Sequence, residues 1–304
     1  MYAYTAPQWV LFFLFYCLAG WCIESIFVSV RTRRLVNRGF LYGPAIPIYG
    51  FGAIAILFAT LPVRVRPALV FLLGMAAATV LEYVTGAVME AIFQVRYWDY
   101  TGKPFNLHGY ICLNTSLAWG VLSIVLVLWL HKPVERVVLS FPARLTQWLA
   151  VALGAVFLTD TVLSAKAALD LRQLLRQMAQ HAESARESAR LLQKRLEVAA
   201  VFRLDDFLHS LPDGGEALQA HMEALEDAAR RLERSDAAEQ LRADLALWRI
   251  RRAVIREGIR QRLTWEHRLR LKGNPSARSR RYAEQLQLLR QRVEEDRKHR
   301  SSRK

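Results

Sequence analysis

Five apolar runs lie within the first 165 residues, at Pro7–Val30, Ile46–Val63, Pro67–Phe93, Leu113–Leu130 and Gln147–Ala165. A helix crosses the hydrocarbon core of a bilayer in about 20 mostly apolar residues. Inside lipid every peptide group must find its hydrogen bond within the protein, so runs of this length and density must be helical. They predict an all-α, polytopic integral membrane protein with about five transmembrane helices, and the lipid bilayer as its first partner. The first run is too long, and too poor in preceding Lys and Arg, to read as a cleaved signal peptide.

Composition changes near residue 165. Of 42 Lys and Arg and 27 Asp and Glu, 11 and 6 precede that point, so the remainder carries 31 − 21 = +10 of the formal net charge of +15. We divide the chain into a transmembrane domain, 1–165, and a cytoplasmic helical tail, 166–304. In the tail, "LLRQMAQHAESARESARLLQKRL" places Leu, Met and Ala at helical spacing. "LPDGGE" (211–216) breaks the pattern, a second helix is expected over about 216–271, and "KGNPSARS" breaks it again before a last helix to about Arg297. The tail is expected to form a helical bundle or an antiparallel coiled coil. Its basic surface suits anionic lipid or nucleic acid alike; the apolar half favours lipid, and no nucleic-acid partner is expected.

Orientation follows from the loop charges. No Lys or Arg precedes the first run, whereas Arg31, Arg33, Arg34 and Arg38 follow it. Arg96 and Lys103 sit two loops later, and the basic tail comes last. This predicts a plasma-membrane protein with its N-terminus outside and its tail in the cytoplasm. Lys132, Arg136 and Arg144 in the fourth loop run mildly against that count.

Ionisable groups inside spans are costly and therefore candidates for function. Glu24, Glu82, Glu90 and Asp160 all fall in the same half of the bilayer in this topology. Small residues surround Glu82, and Gly86 stands one turn away on its helix face, which turns the carboxylate toward neighbouring helices. On the same side lies "RYWDYTGKPFNLHGYICLN" (96–114), unusually rich for a connector. Its Asp99, Asn106 and His108 are candidate hydrogen-bonding groups for a polar cavity. Arg96, Tyr97, Trp98, Tyr100 and Phe105 are candidates for seating the loop at the interface, where aromatic rings collect. Asn37, Arg38 and Gly39, ahead of a helix start near Pro44 or Pro47, form a candidate anion site.

Other chemistries find little purchase. Cys17, Cys22 and Cys112 show no paired spacing, and His108 and Cys112, four apart, are too few for a metal site, so neither metal nor cofactor is expected. There is no Gly-x-Ser-x-Gly elbow and no Gly-x-x-x-x-Gly-Lys-Ser/Thr loop, so any use of ATP falls to a separate subunit.

"NRGFLYGPAIPIYGFGA", followed by "LEYVTGAVMEAIFQVRYWDYTGKPFNLHGYICLNTSLAWG", resembles the ABC-transporter type IV (CmpB-like) permease family over residues 8 to 165. The matching positions are Asn37, Arg38, Gly39, Tyr42, Gly43 and Pro44, then Glu82, Glu90, Trp98, Asp99, Tyr100, Phe105, Asn106, His108 and Gly109. The resemblance implies a non-enzymatic, membrane-spanning subunit that works with an ATPase on another chain and handles a small or amphipathic solute. The Glu-Ala-Ala docking loop of ABC importers is absent from the sequence. Two other readings stand beside the permease: a membrane scaffold or regulator acting through its helical tail, and a lipid-modifying enzyme built on Asp99 and His108. A second copy of the chain is a further candidate partner.

Overall fold

The computed structural model describes residues 4–198, 246 and 263–301. The first compact unit comprises residues 1–170 with 266–280, and the second comprises 171–265 with 281–304. Helix α1 spans Ala6–Thr32, α2 spans Pro47–Thr60 with a 3-10 turn at Leu61–Val63, and α3 spans Pro67–Phe93. A two-strand hairpin follows, β1 (Asn106–Leu107) paired antiparallel with β2 (Ile111–Cys112). One continuous rod comes next: α4 (Leu113–Val125), a π segment (Leu126–Leu130) and α5 (His131–Leu139). Helix α6 runs unbroken from Ala143 to Val198, and two shorter helices, α7 (Trp265–Gly273) and α8 (Ala283–Ser301), complete the described chain.

Each of the first three helices carries proline in its first turn, where the missing N–H is no loss. Helices α1 and α3 stop at residues in the left-handed conformation, Arg33 and Gln94. Among the described residues, four helices are long and apolar enough to cross a membrane: α1, α3, the Leu113–Leu139 rod and the Ala143–Ser184 part of α6. Of the five apolar runs, Ile46–Val63 is the one that forms a shorter helix, Pro47–Val63. Pro47 sets its start, and Pro62 removes a donor from the α-helical ladder, so the last turn tightens to 3-10. Side chains such as Ile23, Phe27, Val80, Trp148 and Val156 stand exposed around the bundle. That is the surface expected of helices solvated by lipid.

Helix α3 is the centre of the first unit. Five of its six buried positions, Val70, Gly74, Ala78, Glu82 and Gly86, recur every fourth residue. Such a row lies along one ridge of the helix, and its small members let neighbours approach. A Cβ at Gly74 would collide with the Ser123 side chain of α4 and meet Ile56 of α2 at 3.6 Å. Leu11, Phe12 and Tyr16 of α1, Ile56 and Leu57 of α2, and Val134 and Val138 of α5 fill the apolar core beside it.

At one end of the bundle His131 is 2% exposed. Tyr16 Oη lies 3.0 Å from its Nδ1 and Tyr4 Oη 3.3 Å from its Nε2, while Tyr4 donates to Glu135 Oε1 at 2.5 Å. At the other end lie the α1–α2 and α3–α4 loops and a strap formed by residues 266–280. Arg278 and Arg96 exchange backbone hydrogen bonds of 2.6 and 2.8 Å. Ser279 Oγ donates to Gln94 O at 2.6 Å and Asn274 Nδ2 to Gly39 O at 3.0 Å. Arg270 stacks on Phe40 and Tyr42, 5.2 Å from each ring, and donates to the carbonyls of Phe40 and Ser164. The strap includes the expected "KGNPSARS" break, which here serves as a docking segment. The "LPDGGE" break, and the expected helix over 216–271 apart from residues 246 and 263–271, lie outside the described residues; Leu263 and Thr264 are not helical, and α7 takes up the helix from Trp265.

In the second unit Leu171, Leu174, Leu175 and Met178 of α6, and Leu286, Leu289 and Val293 of α8, are buried at helical spacing. Arg186 Nη2 pairs with Glu284 Oε2 at 2.9 Å.

Candidate functional site

A cavity of about 510 Å³ opens at the strap end of the first unit, lined by α1, α2, α3, α4 and both loops. Two acids line it. Glu82, 5% exposed, accepts a hydrogen bond from Tyr100 Oη at 3.2 Å and another from Trp119 Nε1 at 3.0 Å. Glu24 accepts from Tyr49 Oη at 2.7 Å and stands 3.8 Å from Arg38 Nε. Tyr49, Tyr97, Trp98, Tyr100 and Trp119 also line it, with Thr85, Met89, Thr115 and, from the strap, Asn274. Glu82 reaches this place because the every-fourth-residue ridge of α3 carries it inward. Tyr100 reaches it because the loop folds back: Tyr100 N donates to Gly109 O at 2.9 Å.

A second cluster joins this wall through Trp98, whose Nε1 donates to Tyr110 O at 2.9 Å. Arg96, 2% exposed, binds Glu90 Oε2 through Nε at 2.6 Å, Asp99 Oδ1 through Nη1 at 3.4 Å and His108 O through Nη1 at 3.0 Å. Its guanidinium lies 4.5 Å above the Tyr110 ring, and Tyr110 Oη donates to Glu90 at 2.5 Å. Gly109, at φ +75°, sits so close that a Cβ would come within 2.7 Å of Arg96 Nη1. Burial pushes the Asp99 carboxyl up. The Thr101 hydroxyl and amide donors and the Arg96 and Arg278 charges outweigh it, so Asp99 titrates below the usual aspartate value. Burial pushes the Tyr97 phenol up to about 12, and burial with the Glu82 charge raises Tyr100 further.

The structure brings Glu24 and Glu82 to one cavity and assigns Glu90 and Asp99 to the Arg96 cluster. Asp160 does neither: it accepts the backbone amides of Tyr42 and Gly43 at 3.1 and 2.8 Å and so fastens the α1–α2 loop to α6. Asn106 shapes its own loop, donating to Thr101 O and Lys103 O and accepting from Gly109 N. His108, at φ +53°, has Nδ1 3.1 Å from Tyr83 Oη. Asn37 is held between Trp21 Nε1 and Tyr42 O, and Arg38 between Glu24 and Ser276 Oγ. Gly39, at φ +133°, permits the loop's turn beside the cavity. Of the loop aromatics, Tyr97, Trp98 and Tyr100 turn onto the cavity, whereas Phe105 is 83% exposed. Among the described residues no three His, Cys, Asp or Glu gather as metal ligands.

Tyr49, Trp119 and Asn274 escaped the sequence reading. Tyr49 and Trp119 lie inside apolar runs, where an aromatic carries no mark of what it faces. Asn274 lies more than 150 residues beyond the loops it touches.

Neither a curated protein nor a solved structure matches the chain. A family model does, over residues 11–165, about half the length and the part that builds nearly all of the cavity wall. The chain thus belongs to the membrane-protein family described as "Putative ABC-transporter type IV".

Proposed function

We propose that this protein is the membrane-spanning, permease-like subunit of an ABC-type transporter, that a separate chain supplies the ATPase, and that this chain catalyses no reaction itself. The observation that carries the reading is the cavity between α1 and α4, with two carboxylates among aromatic side chains. Buried acids facing a cavity inside a helical bundle are the usual mark of a solute path. The His108 imidazole lies against Tyr83 while the Asp99 carboxylate accepts from Thr101 and Arg96, and the two side chains do not hydrogen-bond to each other, which favours loop-shaping over acid/base chemistry. The strap favours a tail that works with the transmembrane unit over one that only recruits a partner.

We further propose that the strap end faces the cytoplasm, since Arg31, Arg33, Arg34, Arg38, Arg96 and the strap arginines all belong to it. Helix α2 with its 3-10 turn then serves as a fifth, short crossing. Its 14 α-helical and 3 tighter residues reach about 27 Å against a core of about 30 Å. The buried stripes of α6 and α8 favour an antiparallel coiled-coil tail.

The test is purification of the full chain, mildly solubilised, from its native membrane. A P-loop ATPase is expected to co-purify, and its hydrolysis rate should change on reconstitution with this chain. An ATPase-free preparation that still forms a defined complex with a cytoplasmic regulator would overturn the transporter reading.

A further inference from the structure

An anion in this cavity would meet two carboxylates, the buried Glu82 and the partly exposed Glu24. The lining carries Glu24 and Glu82 against the single cation Arg38, itself beside Glu24, so with both acids ionised it is negative by one charge. Six rings, those of Phe40, Tyr49, Tyr97, Trp98, Tyr100 and Trp119, border the same space. The faces of aromatic rings attract cations, and tryptophan does so best. Tyr100 and Trp119 hold Glu82 by one donor each, at 3.2 and 3.0 Å. A carboxylate has about four acceptor positions, so Glu82 keeps capacity for a ligand while its orientation is fixed.

Against this chamber lies a second, of about 620 Å³, walled almost wholly by carbon, including Phe15, Ile23, Ile56, Leu126 and Val137. The two chambers share Tyr49, Trp119 and Leu122, and the Tyr49 and Trp119 rings stand 6.2 Å apart. An aromatic chamber that carries two carboxylates thus adjoins an apolar groove, with Tyr49, Trp119 and Leu122 common to both walls.

We infer that the site binds an organic ammonium ion carrying an alkyl tail, with the cationic head among Glu82, Trp98, Tyr100 and Trp119 and the tail in the apolar groove beyond Tyr49. This rests on the transporter reading only for its meaning as a substrate class; binding itself needs no ATPase. An ammonium head can come from a free amphiphilic amine or from a choline- or ethanolamine-type lipid, and the two differ in whether they need a phosphate.

The test uses the full chain in phosphatidylglycerol nanodiscs, which contain no ammonium group. Binding of tetramethylammonium, then hexyl- and decyl-trimethylammonium, is followed by tryptophan fluorescence and calorimetry, with decyl sulfate as the anionic counterpart. Saturable binding is expected for the ammonium series, tightening at least tenfold from the methyl to the decyl compound, with decyl sulfate at least tenfold weaker than its cationic match. Glu82→Gln, whose one carbonyl oxygen can still accept from Trp119 Nε1 while its amide donates to the Tyr100 hydroxyl, should weaken every ammonium ligand at least tenfold. Glu24→Gln should weaken them less, its side chain being 32% exposed. A thermal transition for each variant within a few degrees of the parent establishes that it is folded. Tighter binding of dodecylphosphocholine than of dodecyl-trimethylammonium assigns the lipid source, and the reverse assigns the free amine. No saturable ammonium binding, equal binding by folded Glu82→Gln and Glu24→Gln, or preference for decyl sulfate overturns the inference. An affinity flat with chain length overturns the tail assignment. Ammonium binding without an ATPase partner would fail the transporter reading alone, and an ATPase partner without ammonium binding would fail this inference alone.

Discussion

Replacing Arg96 by methionine should destabilise the transmembrane unit by about 3 kcal/mol, and most of that loss should depend on Glu90. The guanidinium is 1% exposed in its side chain and sits against Glu90 at 2.6 Å and Asp99 at 3.4 Å. Removing one partner of a buried pair costs about 3–5 kcal/mol, mainly because the other charge is left without compensation. Two features pull the value to the low end. Glu90 keeps the Tyr110 hydroxyl and Asp99 keeps its Thr101 donors, and their side chains remain 18% and 15% exposed. Methionine retains the volume that covers Tyr110, so cavity formation adds little. The assay is a double-mutant cycle with Glu90→Gln, following reversible unfolding in mixed micelles titrated with dodecyl sulfate. Neutralising Glu90 in the Arg96→Met background should recover about 2 kcal/mol, since the stranded charge is gone. Additive effects, within the ~0.5 kcal/mol expected of independent sites, would refute the reasoning, as would an Arg96→Met variant as stable as the parent.

Two further outcomes follow from the same geometry. Asp99 has a folded pKa below its ordinary value near 4, so it contributes stability that is fully present above that range and lost as pH falls through the folded value; Asp99→Asn should therefore flatten the acid limb of the stability–pH curve and leave its neutral limb parallel to the parent's. At Gly273 an added Cβ would lie 2.7 Å from the Asn37 backbone carbonyl, an obstacle no rotamer change removes, so Gly273→Ala should lift the strap and speed limited proteolysis between α7 and α8, whereas an unchanged digestion rate would show that the contact is dispensable.

Much of the membrane architecture was legible in the apolar runs, because lipid leaves a long apolar segment no alternative to the helix. The placing of Glu82 was legible too: Gly74, Ala78, Glu82 and Gly86 already show the four-residue spacing in the sequence. The run Ile46–Val63 was legible in extent as well, since its helix, Pro47–Val63, differs from it by one residue; what the run did not mark is the tightening to 3-10 at Leu61–Val63, where Pro62 lacks a donor. The loop aromatics were legible as a cluster but not by direction. Tyr97, Trp98 and Tyr100 face the cavity because the hairpin and the Arg96 cluster fold the loop inward, a direction that no local pattern marks, and Arg96 is further tied to Arg278, distant in sequence.

Residue order alone was enough to show that this chain suits a bilayer, that the acids within its apolar runs gather toward one end of the spans, and that Glu82 faces other helices. These are consequences of solvent and helical periodicity, which act residue by residue along the chain. Only the tertiary structure decided which acids share a cavity, which arginines are already paired, and that a segment beyond residue 265 returns to clasp the loops of the first hundred. Those outcomes depend on which side chains meet across helices. A buried charge or hydrogen bond takes its strength from the geometry of partners that no local pattern specifies.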